Sequence, residues 1–587
     1  MAIRSTFAGI NTMYRGVSTN RLSLDTVGHN MTNANATGYS RQSVNQAAVM
    51  ADQIYTNAGQ QYVGSGVDSL SIQRARDVFA DKQYWREYGD QEYHKIRQKN
   101  YDKLEAIFND SDNNGVQNAI EDFYKIWSDL STNASSTSER VAVLEKGRIV
   151  SDRVQTAAKQ IQNQVVSEYQ DISINIDKVN EITDQIVSLN KAIMAKEAVG
   201  GSANDLRDSR DKLADELSGF MRITVSEKEE TSMYTIVCNG TTMVNGITKM
   251  DLKFGPEDPN DGSIGRPNVD YGFTDYQIEI GDTGIELDTI SGKLKADVDA
   301  IAENKSYMDQ LAKMAGFLLT NFNAQHKQGV GMDVDCTTGT NFFGEDGKLY
   351  LWDDAKQCVR IATQTTKSTV TNGELSSVKI ITGDVDTDDA NALKAYRLIQ
   401  ALTVNSVLTE TDGEQKIAAR MVSYDTSKTA DQVAAQFADT STMASAGVTQ
   451  YCWKYGDSVT GTVDKTVSDL NGTADGSNAV LVGKLINLGN NDRSDCSIGK
   501  VSLENFYNAA MTGLGVDSEA TDTKLKTQED VITQVETWRT EVAGVNWDEE
   551  LTNMIMFQTG YSACSRCLTT MDEMLDRLIN STGTVGR

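Results

Sequence analysis

The sequence is poor in proline, with only three among 587 residues. All three, Pro256, Pro259 and Pro267, fall in one short acidic stretch that also contains glycine. Proline removes a backbone donor and breaks helices. Its scarcity elsewhere therefore favours long uninterrupted helices.

Positive charge is also scarce, because 55 Lys and Arg face 83 Asp and Glu and leave a formal net charge of −28. Such an acidic chain repels phosphate, which argues against unassisted binding to nucleic acid or to an anionic membrane. No apolar run approaches the roughly 20 residues that span a bilayer. The first 20 residues lack the contiguous apolar core of a Sec signal.

Cysteine and histidine are few, with seven and three residues. An odd number of cysteines, spread from Cys238 to Cys567, does not match the disulfide framework of small secreted domains. The histidines are far apart and no His-Glu-x-x-His motif occurs, so we expect no metal site and no cofactor. A role for His326 as a base or metal ligand beside Asp333 is the weaker alternative.

What the chain does have is a helical seam at its end, over Val545 to Asn580. Apolar residues recur there at alternating spacings of three and four, which predicts a helix that buries one face against another helix. The residues of this seam are Met554, Phe557, Tyr561, Cys564, Leu568, Met571, Leu575 and Leu578.

A second seam lies at the other end of the chain, interrupted only by Arg21 and Gly28. Its residues are Ile3, Phe7, Ile10, Tyr14, Val17, Leu24 and Met31. The two seams have the same spacing and each needs a partner. We therefore predict that the N- and C-terminal helices pair as a coiled coil.

An asparagine-rich turn follows the first helix. Asparagine bonds to local backbone and glycine accepts positive φ, so this run should end the helix in a defined turn. The residues concerned are Asn30, Asn33, Asn35, Gly38, Tyr39, Ser40, Arg41 and Gln42. This arrangement resembles the signature that follows the N-terminal helix of bacterial flagellar axial proteins, and Ser-Arg-Gln after Gly-Tyr looks most like their hook-associated branch.

The C-terminal segment resembles the same family. Val545-Asn546-Trp547-Asp548-Glu549-Glu550-Leu551, Met556-Phe557-Gln558 and Leu575-Asp576-Arg577-Leu578-Ile579-Asn580 match its C-terminal motif. Asn546 is placed to cap the last helix, with Glu549 at the third helical position. In the middle of the chain, Asn323-Ala324-Gln325-His326 followed by Asn341-Phe342-Phe343 again resembles the hook-associated branch, and hook or rod proteins are not expected to carry it.

Between the ends, helical periodicity dominates. Helices are expected over Asp77 to Phe108, Val116 to Leu130, from a capping box at Ser136 to Glu139, and over Val154 to Ile193. A short helix follows Gly200-Gly201, capped within Ser202 to Asp205, and its charged run Asn204 to Asp211 is read as a salt-bridged surface rather than a catalytic site. Asn239-Gly240 predicts a β-hairpin turn. The fold class is thus mainly α with β-rich outer domains: a long helical-bundle shaft, paired terminal helices and inserted α+β domains.

Seven segments are expected. These are a terminal seam helix and turn (1–45), the N-terminal part of the shaft (46–225), a hairpin-containing domain (226–292), a returning helix with the family loop (293–349), a variable α+β outer domain (350–477), the C-terminal part of the shaft (478–545) and the C-terminal seam helix (546–587).

The resemblance implies a structural protein of the bacterial flagellum that assembles head to tail as a junction layer between hook and filament. It further implies export through the flagellar type III channel, an extracellular location, and contacts with copies of itself, the hook protein, the third hook-associated protein and an export chaperone. No set of nucleophile, base and oxyanion donors emerges from the sequence, so we expect no enzyme. Cys564 and Cys567 could form a redox or metal pair, but their helical setting favours packing.

Two alternatives stay open. One is a hook or distal-rod protein of the same family. The other is a flagellar scaffold whose outer region, 350 to 477, carries a binding or enzymatic activity.

Overall fold

The fold is described from a computed structural model. It describes residues 7–56, 59–108, 115–228, 233–256, 266–281, 291–327, 329, 331–333, 339–363, 365–367, 377–383, 388, 391–419, 448–455, 476–487 and 496–581. The residues 109 to 114 between the first two helices predicted for the shaft, most of the proline stretch and much of the segment 350 to 477 lie outside these residues, as does Ile3.

Helices dominate the described residues. They are α1 (Ala8–Asn33), α2 (Val78–Ile107), α3 (Val116–Thr132), α4 (Thr137–Glu197), α5 (Asn204–Phe220), α6 (Lys293–Phe317), α7 (Asn323–His326), α8 (Ala395–Gln400), α9 (Ser406–Thr409), α10 (Ser477–Asn487), α11 (Leu503–Ala543) and α12 (Trp547–Ser581). A π-helical turn over Leu318–Phe322 joins α6 to α7, and a 3-10 turn spans Gly413–Lys416.

The strands form small antiparallel sheets. They are β1 (Gln42–Ala48), β2 (Asp52–Thr56), β3 (Gly59–Val63), β4 (Val67–Arg74), β5 (Ile223–Lys228), β6 (Met233–Cys238), β7 (Thr241–Asn245), β8 (Thr248–Lys249), β9 (Leu252–Pro256), β10 (Arg266–Asn268), β11 (Phe273–Ile280), β12 (Lys348–Asp353), β13 (Cys358–Thr363), β14 (Thr365–Lys367), β15 (Ser377–Gly383) and β16 (Val448–Tyr455). The sheet orders are β1-β4, β2-β3, β5-β6-β7-β8, β10-β11-β9, β12-β13 and β14-β15-β16.

The predicted hairpin at Asn239-Gly240 is confirmed. It joins β6 to β7, with Asn239 at φ +42° and Gly240 at φ +84°. Two consecutive positive φ angles define the type I′ turn, whose twist matches that of the flanking strands.

The central helix of the shaft, α4, is longer than the sequence predicted. It has 61 residues and no break between the capping box and Val154, where two segments were expected. Ser136 caps it as predicted, because its hydroxyl accepts from the Glu139 N–H at 3.4 Å. No proline or glycine pair interrupts the seam, so the helix continues. Helices α2, α4 and α6 pack on one another, and α11 lies along α2.

Helix α5 begins within the predicted range Ser202 to Asp205, but the predicted side-chain cap is wrong. Its N-cap is Ala203, which offers no side-chain acceptor. The amide of Asn204 instead donates to Gln42 Oε1 at 3.2 Å and to the Ile72 carbonyl at 3.0 Å. Tertiary hydrogen bonds thus replace the local cap.

Among the residues that the structure describes, the shaft has two hydrophobic cores. The Trp127 core contains α3, the first part of α4 as far as Ile161, and α6 from Tyr307 onward. The Trp85 core contains α4 from Val165 onward, α5, the start of α6 and the sheet of β5 to β8. Trp127 is fully buried and Trp85 is 6% exposed.

The two segments of the hook-associated pattern in the middle of the chain meet in the Trp127 core. Asn323 Oδ1 accepts from the backbone N–H groups of Phe342 and Phe343, both at 2.9 Å, and its Nδ2 donates to the Phe343 carbonyl at 2.7 Å. One asparagine therefore ties α7 to the Asn-Phe-Phe segment.

The hairpin of β12 and β13 lies across the expected boundary at residue 350. Its Tyr350 and Trp352 are buried in the Trp127 core. This first part of the expected outer region thus packs with the shaft, while the domain boundaries as a whole stay predictions.

Candidate functional site

The site begins at Asn30, which is 1% exposed in the last turns of α1. Its Oδ1 accepts from the Gln42 N–H at 2.9 Å and from the Tyr39 hydroxyl at 2.8 Å. Its Nδ2 donates to the Gln42 carbonyl at 2.8 Å and to Glu550 Oε2 at 3.1 Å. One side chain thus closes the turn between α1 and β1 and connects it to α12.

Glu550 lies in the first turn of α12 and is 1% exposed. Arg41 Nε donates to its Oε1 at 2.7 Å, and Arg41 also pairs with Glu549 at 3.2 Å. The Arg41 backbone N–H donates to the Ala543 carbonyl at the end of α11, at 2.8 Å. The start of α12 is therefore held by the turn that follows α1.

The turn is fixed to α5 as well. Ser40 N–H donates to Asp208 Oδ2 at 3.0 Å, and Gln42 Nε2 donates to Asp205 Oδ1 at 2.9 Å. Gly38 has φ +82°, and a Cβ there would lie 3.4 Å from the Lys212 side chain. The Cβ distance is an ordinary contact, so it is the positive φ that favours glycine at this position.

The other predicted motif residues, Asn33 and Asn35, lie at the edge of the turn after α1. Asn33 Nδ2 donates to the His29 carbonyl at 3.0 Å within the last turn of α1. Asn35 is exposed. His29 contacts Tyr39 edge to face and lies 3.2 Å from Asp205 Oδ1.

A layer of ion pairs lies beneath the turn. Arg74 contacts Asp208 at 2.7 Å and Asp211 at 2.8 Å, and Arg76 contacts Asp211 at 3.0 Å. Burial raises the pKa of Asp211, but the guanidinium groups of Arg76 and Arg74 lower it by more, so its pKa lies below the ordinary value. The charged run of α5 was predicted to be a salt-bridged surface. It is salt-bridged and Asp205 is exposed, but the surface location is wrong for Asp208, Arg210 and Asp211, which are at most 6% exposed.

Arg539 extends this layer to α11. It contacts Asp81 at 3.0 Å and Asp215 at 2.9 Å, and Asp215 also accepts from Trp85 Nε1 at 2.6 Å. Burial raises the pKa of Asp215 and outweighs the opposing effect of Arg539. We call the whole set the polar junction; its residues are Asn30, Tyr39, Ser40, Arg41, Gln42, Arg74, Arg76, Asp81, Asp205, Asp208, Asp211, Asp215, Arg539 and Glu550.

A cleft of about 450 Å³ borders the polar junction, between residues 34–40, the start of α2 and the end of α11. Arg76, Lys212 and Arg539 line it together with Asp77 and Asp215. Small-molecule pockets are mostly apolar, so this mixed charge is typical of a hydrated cleft.

The helices α1 and α12 pair, as predicted. Half-buried in this arrangement are Ile10, Val17, Leu24, Met31, Met554, Phe557, Cys564, Leu568, Met571 and Leu575. Glycines allow close approach: a Cβ on Gly16 would lie 3.0 Å from Cys564 Sγ, and one on Gly560 would lie 2.7 Å from Asn20 Oδ1.

Four predicted seam residues are not buried by this pairing. The exposed fractions are 55% for Phe7, 64% for Tyr14, 39% for Tyr561 and 55% for Leu578. The most buried face of α1 is instead formed by small and polar residues, Gly16, Thr19, Ser23, Thr26, Val27 and Asn30. This polar face is buried because β1 and β4 also pack on α1. For example, Gln46 Nε2 on β1 donates to Ser23 Oγ on α1 at 3.0 Å.

Several large apolar residues of α12 are exposed in the single chain. They include Leu551, Ile555, Met556, Met574, Leu578 and Ile579.

Cys564, Cys567 and His326, which the sequence offered as possible redox or metal groups, do not form a common site. Cys564 packs against Gly16, and Cys567 is exposed on α12. His326 is fully buried: it lies 2.9 Å from the Thr340 carbonyl through Nδ1, and Nε2 accepts from the Ala418 N–H at 3.1 Å. Both ring nitrogens thus have backbone partners. In the described parts of the chain, no group of three or more His, Cys, Asp or Glu could hold a metal ion.

Sequence reasoning missed most of the buried ion pairs. Asp208, Asp211 and Asp215 follow spacings of three and four and so share one helical face. Arg74 and Arg76 are two apart, which places them on one side of an extended chain. Those two spacings together were the available signal.

Comparison with known proteins gives a consistent result. Residues 101–343 match the family model described as the flagellar hook-associated protein FlgK helical domain, and residues 539–581 match the flagellar basal body rod FlgEFG protein C-terminal model. The chain is 25% identical to flagellar hook-associated protein 1 of Bacillus subtilis over 99% of this chain and 100% of that protein. It is also 25% identical to the Escherichia coli protein of the same name, over 97% of this chain and 99% of that one.

A solved structure has a similar fold. It is the flagellar hook junction protein FlgK from Burkholderia pseudomallei, with a TM-score of 0.53 and 14% identity, covering 79% of this chain and 100% of that one. No helix among the described residues is both long and apolar enough to cross a membrane.

Proposed function

Because this chain belongs to the flagellar hook-associated protein 1 family, whose members are structural components of the flagellum at the hook-filament junction, we propose that its α1–α12 pair is the unit that packs into the axial layer. The observation that carries this proposal is the link between the two ends of the chain. Arg41 and Asn30 both bond to Glu550 in the first turn of α12.

The polar junction makes that pair a defined unit. It bonds the turn after α1 to α5 through Ser40 and Gln42, and it holds the end of α11 through Arg539. The direction of the helix pair relative to the shaft is thereby set by buried and partly buried hydrogen bonds, which lose strength when their geometry changes.

The exposed apolar residues of both helices then face neighbours. Phe7 just before α1, Tyr14 on α1 and exposed apolar residues of α12 such as Ile555 are groups that a single chain leaves uncovered. Repetition of unlike surfaces head to tail generates a helical or ring-like layer. The neighbours we propose are further copies of this chain, the hook protein on one side and the third hook-associated protein on the other, after export aided by a flagellar chaperone.

The matched family model favours this role over that of a hook or rod protein, since it is the hook-associated helical domain that matches residues 101–343. The C-terminal match to rod proteins covers only residues 539–581. It therefore marks the helix that these axial proteins share.

A double substitution tests the proposal. Leu568 and Leu575 are half-buried between α12 and α1, so Leu568→Asp with Leu575→Asp should place two charges in the packed layer at a cost of roughly several kcal/mol each. In cells that lack the normal copy, we expect hooks without filaments and filament protein in the medium. Circular dichroism of the purified monomer should change little.

The control is Ile174→Asp on α4, where the side chain is 65% exposed and outside the helix pair. Cells with this variant should carry attached filaments. Attached filaments in cells with the double variant would mean that the α1–α12 pair is not the assembly core.

A further inference from the structure

The two hydrophobic cores of the shaft end at the same level on three helices. On α4, the Trp127 core ends at Ile161 and the Trp85 core begins at Val165. On α6, the Trp85 core ends at Ile301 and the Trp127 core begins at Tyr307. On α2, Tyr101 is the first member of the Trp127 core.

Three buried amide side chains occupy this level, one from each helix. They are Asn100 on α2, Gln164 on α4 and Asn304 on α6, with exposed fractions of 1%, 7% and 0%. Gln164 Nε2 donates to Asn100 Oδ1 at 2.5 Å, and Asn304 Nδ2 donates to the same atom at 3.1 Å. We call these three residues the amide layer.

The amide layer is only partly satisfied. Within the described parts of the chain, Gln164 Oε1 and Asn304 Oδ1 are buried and have no hydrogen-bond partner. A buried acceptor without a donor destabilises the fold, because it gives up its bonds to water and gains none in return. The layer is thus a weak level between the two apolar cores of the helical bundle.

Buried ionisable groups extend this weak level toward the Trp85 core. Glu168, one turn beyond Gln164, is 4% exposed and pairs with Lys103 at 2.6 Å. Asp297 on α6 is 1% exposed and accepts from Asn175 at 3.0 Å. Buried ionic and polar groups contribute less stability than apolar residues of similar volume.

We infer that the amide layer is a built-in break at which the two halves of the shaft unfold separately. Cooperative unfolding units follow continuous apolar packing, and the packing of α2, α4 and α6 is discontinuous at this level. The Trp85 core is the smaller cluster and opens first. This property concerns the fold and goes beyond the proposed role in assembly.

Two buried cysteines report the two cores without any substitution. Cys238 belongs to the Trp85 core and Cys496 to the Trp127 core. The full chain is incubated in increasing urea and briefly exposed to a thiol reagent. The modification of each cysteine is then measured by mass spectrometry. We expect Cys238 to become reactive at a lower urea concentration than Cys496.

The decisive variant makes the layer apolar: Asn100→Leu, Gln164→Leu and Asn304→Leu together. With continuous apolar packing, the two cysteines should become reactive at nearly the same urea concentration. Asn304→Leu alone retains the Gln164 to Asn100 hydrogen bond and replaces the triple variant if that does not fold. It should narrow the interval between the urea concentrations at which the two cysteines become reactive. The control is Asn163→Leu with Ser306→Leu, at exposed neighbouring positions, and should leave the interval unchanged.

Two results would overturn the inference. One is coincident reactivity of Cys238 and Cys496 in the unsubstituted chain, since the shaft would then unfold as one unit. The other is an unchanged difference between the urea concentrations at which Cys238 and Cys496 become reactive, in both the triple variant and Asn304→Leu. The break would then lie outside the amide layer.

Discussion

Arg41 and Glu550 are joined by an ion pair of 2.7 Å although 509 residues separate them along the chain. Glu550 is 1% exposed, and the Arg41 side chain is 25% exposed. A charge-assisted hydrogen bond in such a place is stronger than one at the surface. The pair is thus the most direct test of how the ends are joined.

A double-mutant cycle with Arg41→Ala and Glu550→Ala should give a coupling energy of about 1.5–3 kcal/mol, in line with hydrogen bonds to charged groups. The measurement is the opening free energy of α12 amides by hydrogen exchange. The same cycle on Arg15 and Asp68, an exposed pair at 2.9 Å, should give below about 1 kcal/mol. Equal coupling in the two cycles would contradict a buried structural role for Arg41.

Gly38→Ala should destabilise the turn after α1 by about 1–2 kcal/mol, because a side chain at φ +82° is strained. The loss should be visible as faster hydrogen exchange in α1. The matched control is Gly28→Ala, in the same helix, where a Cβ would meet nothing within 4 Å. That change should slow exchange in α1, since alanine is favoured over glycine in a helix by about 1 kcal/mol. Faster exchange in both variants would show that the φ angle of Gly38 is not the cause.

Acid should destabilise the Trp127 core through His326. Burial lowers the pKa of this fully buried histidine to about 4, from an ordinary value of 6.5. The unfolded chain therefore binds the proton more readily, and stability is complete above pH 6.5 and is lost as pH falls toward 4. The size of the effect is on the order of 3 kcal/mol.

The loss of stability in acid is measured by urea melts at about pH 7 and about pH 5, on either side of the ordinary histidine pKa. The reactivity of Cys496 reports unfolding in these melts. His326→Gln should lower stability at both values and reduce the difference between them. His29→Gln, at a half-buried position outside the core, should retain the full difference. A pH difference that is unchanged by His326→Gln would assign it to another group.

Asp297 should have the opposite pH dependence. Burial, and then the nearby Glu168, raise the pKa of this carboxyl to about 8 from 3.8. The folded state therefore holds the proton, and stability is lost as pH rises from about 4 toward 8. Asp297→Asn should stabilise the chain by roughly a few kcal/mol at about pH 8 and change little at about pH 4, because an amide oxygen can still accept from Asn175.

The neighbouring Asp299→Asn is the control for this change. Asp299 accepts from the Tyr93 hydroxyl at 2.8 Å and is partly exposed, so the variant should not gain stability in the alkaline melt. Urea melts read through Cys238 measure both variants. Loss of stability in Asp297→Asn under alkaline conditions would show that the carboxylate is the favoured form.

The helices were predictable because their signals are local. The seam of α4, the N-cap at Ser136 and the Asn239-Gly240 turn each depend on residues a few positions apart, and all are confirmed. The pairing of α1 with α12 was also predictable, since both carry the same apolar spacing.

The polar junction was not predictable in the same way. Glu550 resembles any acidic residue in the first turn of a helix, and its burial depends on Asn30 and Arg41, which lie 520 and 509 positions away. Likewise, Asp208 and Asp211 look like surface residues in the sequence. Their burial becomes evident only from the ion pairs that both form with the distant Arg74. The apolar stripe of α1 misled in a related way, because β1 and β4 take one side of that helix and leave Tyr14 exposed.

The contact between Asn30 and Glu550 spans 520 positions of the chain, and this has a consequence for the order of folding. Closing a flexible loop becomes more costly with its length, by about 0.6 kcal/mol for each doubling. Long-range contacts of this kind form slowly unless the intervening chain has already become compact. The shaft helices shorten the distance that must be closed, so α1 and α12 meet last, after the body of the molecule has brought their ends together.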